Sequence, residues 1–238
     1  MLVSIIIPYY KSENFIKKTI SSIINQTYRK WEIIIIDDEN SYISSKVLKN
    51  LKNKKIKIFT NKKNKGVAMS RNLGILKAKG TFIAFVDSDD LWHKNKLLKQ
   101  VNEMKKKNYN ISYTSYGAFE NFKHLNYQVP AINTLDFDYL VKSNPICCSS
   151  VVVKKKILKN IKFPNLKTKE DYALWLILSK NYKFYPIKKT LTFHRLRKNS
   201  LSSLHFNKIY NAFLIYNHFL KFSIISSFYA VGRLYINA

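Results

Sequence analysis

Cysteine is nearly absent: Cys147 and Cys148 stand side by side in a chain of 238 residues. Two adjacent thiols cannot build a disulfide framework and lack metal-site spacing, so they read as packing residues of a reducing cytosol. Glycine and proline are equally scarce, five each, which excludes flexible linkers, and no repeat or low-complexity tract is present. Acids are few, 14 Asp and Glu against 42 Lys and Arg, giving a formal net charge of +28 at pH 7. Such a field attracts anions: nucleic acid, an anionic membrane face or phosphorylated substrates. The basic residues are nearly all Lys, spread along a chain also heavy in Asn and Ile, so a coding bias accounts for the larger share of the charge. Arg is rare, which makes Arg29, Arg71, Arg195, Arg197 and Arg233 the more informative choices. No apolar run reaches the roughly 18 residues of a membrane span. Residues 1–10 are apolar but have no basic start and contain Pro8, so they read as a strand and not as a signal peptide. The Gly-rich loop of dinucleotide folds is also missing, since the first strand ends in Pro8-Tyr9-Tyr10, and this argues against a Rossmann dehydrogenase.

What is present is organised around residues 80–92. Residues 82–86 are apolar throughout and read as a strand buried on both faces, hence part of a mostly parallel α/β sheet. Asp87, Asp89 and Asp90 follow where ligands of such sheets bind. Crowded carboxylates repel unless a cation sits among them, and an oxygen-only set favours Mg²⁺ or Mn²⁺ shared with substrate phosphates. The alternative is Asp90 capping a helix that starts at Leu91.

Around this stretch the pattern is β-α-β-α-β-α-β to about residue 100. Residues 3–7, 31–36 and 56–60 read as strands, and 14–26, 44–52 and 66–79 as helices. The second strand delivers Asp37-Asp38 at its carboxyl end, where an acid can bond hydroxyls or a base edge of a nucleotide. Arg71 sits on the third helix, able to face a phosphate, the next strand's carboxylates or solvent. Farther on, residues 98–107 read as a basic helix, 111–116 as a strand, and 144–153 as a polar loop running into a buried strand. Glu170-Asp171 opens an amphipathic helix, where an acid suits the helix N-terminus in any case.

The segments Val3-Ser4-Ile5-Ile6-Ile7-Pro8-Tyr9-Tyr10, Asn25-Gln26-Thr27-Tyr28, residues 32–38, Gly66-Val67-Ala68-Met69-Ser70-Arg71-Asn72-Leu73-Gly74 and Phe85-Val86-Asp87-Ser88-Asp89-Asp90 follow in that order. Together they resemble the front half of a family 2 glycosyltransferase of the GT-A fold. Glu170-Asp171 and residues 192–202 extend the likeness over roughly residues 2–205, in the pattern of small bacterial members that build capsule, O-antigen or teichuronic acid chains. Phe193 stands where a Tyr is common.

The resemblance implies inverting transfer from a nucleotide-sugar, most often a UDP-sugar, to an acceptor hydroxyl. It implies Asp171 as catalytic base beside Glu170, Asp87 and Asp89 as metal ligands, and Pro8, Tyr10, Asp38, Arg71 and Ser88 around the nucleotide. Arg195 and Arg197 are expected to place fixed charge against the diphosphate, with His194 assisting and Asp90 able to replace a metal ligand. Two other classes are open: a basic nucleic-acid-binding protein, against which no recognition module is readable, and an inactive scaffold homologue, against which the acids and Arg195 are retained.

Residues 1–205 are expected to form the GT-A domain, with a nucleotide half to residue 100 and an acceptor half from 101. Residues 206–238 are expected to form a helical extension. That tail mixes aromatics with Lys and Arg. It reads either as an anchor on an anionic cytoplasmic membrane face near a lipid-linked saccharide acceptor, or as a helix packed on the core or on a second subunit.

Overall fold

A computed structural model describes residues 1–51, 53–120, 123–196 and 205–237. The first half runs β1 (Val3–Tyr9), α1 (Ile16–Ile24), β2 (Trp31–Asp37), α2 (Tyr42–Lys49), β3 (Ile56–Thr60), α3 (Val67–Lys77), β4 (Phe82–Phe85), β5 (Leu91–Trp92) and α4 (Lys96–Lys106). The second half runs β6 (Ile111–Glu120), β7 (Lys123–Val129), α5 (Phe137–Leu140), β8 (Val152–Lys154), α6 (Glu170–Ser179), β9 (Phe184–Arg195), α7 (His205–Leu214) and α8 (Ile224–Ile236).

The sheet order is β3-β2-β1-β4-β8-β6-β9-β5, with β7 hydrogen-bonded to β6. Strands β3, β2, β1 and β4 are parallel, so their carboxyl ends share one edge. The Ile-rich runs are buried on both faces. Alternate residues serve opposite cores: Ile6, Ile34, Ile36, Ile83 and Phe85 pack with Trp175 of α6, and Ile5, Ile7, Ile33, Ile35 and Ala84 pack with α1 and α4.

Residues 91 and 92 form a short strand antiparallel to β9, and the next helix begins only at Lys96. The expectation that Asp90 caps a helix at Leu91 is therefore corrected; pairing with Thr192 and Phe193 of β9, about a hundred residues away, overrides the local signal. The β6–β7 hairpin and the full length of β9 were likewise outside the local pattern.

The tail folds onto the domain. Ala212, Ile215 and Tyr216 are buried in the core that holds α6, and the Tyr216 and Tyr172 hydroxyls lie 2.7 Å apart. Asn211 Nδ2 donates to Thr168 Oγ1 at 2.8 Å. Ser227, Ala230, Val231 and Leu234 form the buried side of α8. Among the described residues, no helix is long and apolar enough to cross a membrane.

Helix α3 lies against β1 at Gly74, where a Cβ would stand 2.4 Å from Ile6 Cγ2. Strand β1 is hydrogen-bonded on both sides and cannot retreat. Gly74→Ala is therefore expected to destabilise the fold by about 1–3 kcal/mol through overpacking. A urea denaturation midpoint equal to that of the parent would contradict this packing.

Candidate active site

The site is assembled at the carboxyl ends of β1, β2 and β4, with α6 supplying the opposite wall. The Asp38 N–H donates to the Tyr9 carbonyl at 2.9 Å and ties the first two strand ends together. Tyr10 is 45% exposed there, next to the partly buried Pro8. Asp38 is buried, and its carboxylate accepts from Asn61 Nδ2, Lys65 N and Gly66 N, each at 2.8 Å. It thereby holds the loop that enters α3, whose cap, Gly66, takes φ +85°. Asp37 closes the neighbouring loop by accepting from Glu39 N, Asn40 N and Ser44 Oγ. Pro8, Tyr10 and Asp38 are thus brought together.

The acidic turn after β4 divides its residues among different tasks. Asp87 is partly exposed and pairs with Arg71. The Ser88 hydroxyl donates to Ser12 Oγ at 2.8 Å, and its carbonyl accepts from Thr19 Oγ1. The Asp89 carbonyl accepts from Arg195 Nε at 3.1 Å. Asp90 is fully buried and accepts from Ser149 Oγ at 2.5 Å, Arg195 N at 2.9 Å and His194 Nδ1 at 3.1 Å. With these partners Asp90 is the internal anchor of the turn, and its carboxylate also lies in one cluster with Cys147 and His194.

Arg71 is 3% exposed, with Nη2 on Asp87 Oδ1 at 2.6 Å and Nη1 on Glu170 Oε1 at 2.5 Å. Both ends of the guanidinium are committed to carboxylates, one of them after the next strand as the sequence allowed, so Arg71 bridges the acidic turn and α6. Lys169, in the left-handed region at φ 61°, starts α6, and Glu170 and Asp171 occupy its first turn. The Tyr172 N–H donates to Asp171 Oδ1 at 2.7 Å. Burial pushes the Asp171 carboxyl above its ordinary value despite the nearby Arg71 charge. Burial also pushes Glu170 up, opposed by Arg71 and reinforced by Asp171.

Arg195 is buried, its guanidinium carbon 4.5 Å from the Phe15 ring centre and 4.3 Å from that of Phe119. It supports the Asp89 peptide through its Nε. Arg197 lies outside the described residues. The Asp90 charge raises His194 to about 12, so the ring is an imidazolium beside an aspartate.

Asp87 and Asp89 are the carboxylates of this turn that could hold a divalent cation. Asp87, Glu170 and Asp171 surround one guanidinium, an excess of negative charge in a hard oxygen set. Asp90, Cys147 and His194 also cluster, their ligand atoms within 4.8 Å of one another, but the carboxylate of Asp90 is already engaged by three donors. Sequence reasoning missed Ser149. Its hydroxyl receives the Asp87 N–H and donates to Asp90, and its carbonyl receives the Trp92 indole N–H at 2.9 Å. A Ser in a polar loop gives no local sign of this; the only signal was the loop's position before a buried strand.

Residues 4–162 match the model of glycosyl transferase family 2. TuaG of Bacillus subtilis, named for teichuronic acid biosynthesis, is 31% identical over 92% of this chain and 91% of its own. WfgD of Escherichia coli, named a UDP-Glc:alpha-D-GlcNAc-diphosphoundecaprenol beta-1,3-glucosyltransferase, is 33% identical over 99% of this chain and 93% of its own. The crystal structure of S. aureus TarS with UDP-GlcNAc superposes with a TM-score of 0.75 at 20% identity, covering 97% of this chain and 70% of that one. The mannosyltransferase PcManGT of Pyrobaculum calidifontis with GDP-Man and Mn²⁺ superposes at 0.70 and 12% identity, covering 97% and 72%. These overlaps show the GT-A fold.

Removing one partner of a buried charge cluster leaves the other uncompensated. Arg71→Met is therefore expected to cost roughly 3–5 kcal/mol at neutral pH. The loss should shrink in acid, as Glu170 takes up a proton; equal loss at both pH values in urea titrations would contradict the bridge. The His194–Asp90 pair gives a second test. The His194 contribution to stability is complete below about 6.5, its ordinary value, and is lost only as pH rises through about 12. The Asp90 side is lost in acid, because its folded value is depressed. Ring-proton NMR should show no His194 titration near neutrality; a midpoint near about 6.5 would break the pair.

Proposed function

The chain belongs to glycosyl transferase family 2, and from that premise we propose that it moves a sugar from a UDP-sugar to a hydroxyl of a lipid-linked saccharide, inverting the anomeric centre. The observation that carries this reading is the buried Asp87–Arg71–Glu170 bridge, which couples a cation-ready acidic turn to the helix end bearing Asp171. The UDP-Glc donor and diphosphoundecaprenol acceptor in the name of the Escherichia coli relative support the donor and the lipid link. The teichuronic acid name of the Bacillus relative supports a place in bacterial surface polysaccharide synthesis.

Asp171 takes the proton of the acceptor hydroxyl. The acceptor oxygen bonds to the anomeric carbon on the face opposite the diphosphate. The carbon–oxygen bond to the diphosphate breaks, and its electron pair leaves with UDP. A Mn²⁺ or Mg²⁺ ion held by Asp87 and Asp89 would supply Lewis-acid charge to that leaving group. Glu170, clamped by Arg71, is a positioning residue for Asp171. Pro8, Tyr10 and Asp38 line the uracil and ribose, with Tyr10 as the stacking ring. Arg195 and His194 fix the turn through Asp89 and Asp90.

Asp171→Asn is expected to lower turnover by about 10²–10⁴-fold while calorimetric UDP binding with Mn²⁺ stays intact. Asp89→Ala should weaken the metal-dependent part of UDP binding. In the parent, kcat/KM should fall as pH drops through a value above about 3.9, the ordinary aspartate value. Near-normal turnover in Asp171→Asn removes the assigned base, and absence of any nucleotide binding by the folded chain removes the transferase reading.

A further inference from the structure

Helix α8 has two opposite faces, and the outward one is the wrong kind for water. At about 100° per residue, Ser227, Ala230, Val231 and Leu234 fall on the side packed against the core. Ile225, Phe228, Tyr229 and Ile236 fall on the other side and Ile224 and Tyr235 on its flank, all exposed, with Ile225 and Ile236 at 84%. A helix on a soluble domain ordinarily turns polar residues outward. This outward surface is continuous apolar and aromatic, the mark of an interaction site.

Charge identifies the partner. Asp171 is the last acidic residue of the sequence, and every Lys, Arg, Asp or Glu position after it is Lys or Arg. At the edge of the face a cavity of about 340 Å³ has Phe222, Ile225 and Tyr229 as apolar wall and Lys142 and Arg233 as cations. Asp136 and Asp138 line a second cavity that shares Lys142 and reaches Asn237, so it is the cavity of Ile225, Tyr229 and Arg233, lined by cations and no acid, whose aromatic and aliphatic wall matches an anionic lipid surface. The face also lies beside the chemistry: Lys169, the residue before Glu170-Asp171, holds its ammonium 5.2 Å from the Tyr235 ring and 5.9 Å from the Tyr172 ring.

We propose that the outer face of α8 is an interfacial docking surface for an anionic phospholipid bilayer, lying in the headgroup region and holding the Asp171 end of α6 toward lipid-borne acceptors. The proposal deepens the lipid-linked acceptor reading and rests on it for its purpose. Binding itself requires no turnover.

The test is co-flotation of the full chain with phosphatidylglycerol-containing vesicles and with pure phosphatidylcholine vesicles. The chain should float with the anionic vesicles, less so in high salt, and weakly with the neutral ones. Arg233→Ser should weaken binding about fivefold. The double variant Ile225→Glu/Ile236→Glu, at two largely exposed positions, should lose at least about tenfold in binding with an unchanged urea midpoint and unchanged UDP titration. Flotation unaltered in the double variant overturns the proposal. So does absence of flotation in the parent, including the case where the parent is a dimer that the double variant converts to monomer. A chain that binds UDP but no vesicles fails here alone; one that binds vesicles but no nucleotide fails the transferase reading alone.

Discussion

One buried guanidinium conditions the rest of the site. Arg71 is enclosed, with Asp87 on one side and Glu170 on the other, at 2.6 and 2.5 Å. A buried Arg without carboxylate partners would be prohibitively costly, and so would a buried Glu170 without Arg71. The acidic turn after β4 and the first turn of α6 are therefore held at a fixed separation although Asp87 and Glu170 stand 83 positions apart in the chain (170 − 87). One positive charge among Asp87, Glu170 and Asp171 leaves the cluster negative. Burial is what lifts Asp171 above an ordinary aspartate.

Adjacent acids in this turn have opposite fates because their partners come from opposite directions. Asp90 turns into the protein, where Ser149, His194 and the Arg195 backbone satisfy it. Ser149 serves both ends of the turn, receiving the Asp87 N–H while donating to Asp90. The His194 charge is thereby used internally, and Arg195 is wedged between Phe15 and Phe119 with its Nε on Asp89. The end of β9 is better described as a frame that aims the turn than as a set of cations pointing outward.

The parts legible in the sequence were those whose signal is local. The strands β1, β2 and β4 announced themselves as unbroken apolar runs, and the acids at their ends followed from chain order alone. The placement of Asp38 and Asp87 at one sheet edge needed only the parallel topology, whereas the roles of Pro8, Tyr10 and Glu170-Asp171 came from the family resemblance. What could not be read was burial decided by distant partners. Asp90 looked like a helix cap or a ligand because His194 and Arg195, over a hundred residues on, leave no trace near it. Lys96 belongs to a Lys-rich stretch that reads as solvent-facing, yet it is fully buried beside Trp92 and Gln100, and burial pulls its pKa down to about 7. Composition cannot separate such a lysine from the exposed majority.

The tail shows why the two readings of its composition were not exclusive. A helix that is apolar on one face packs on a core, and one apolar nearly all round has a second face to cover. Helix α8 spends Val231 and Leu234 on the core shared with α6, through α7 and Tyr216. Its remaining apolar residues then stand outward because the inward positions are already filled. Since the same packing fixes α8 to the start of α6 through Tyr235 and Lys169, whatever covers the outer face also sets the surroundings of Asp171. After Asp171 the sequence carries no further acid, so the charged residues of the tail itself are all Lys or Arg.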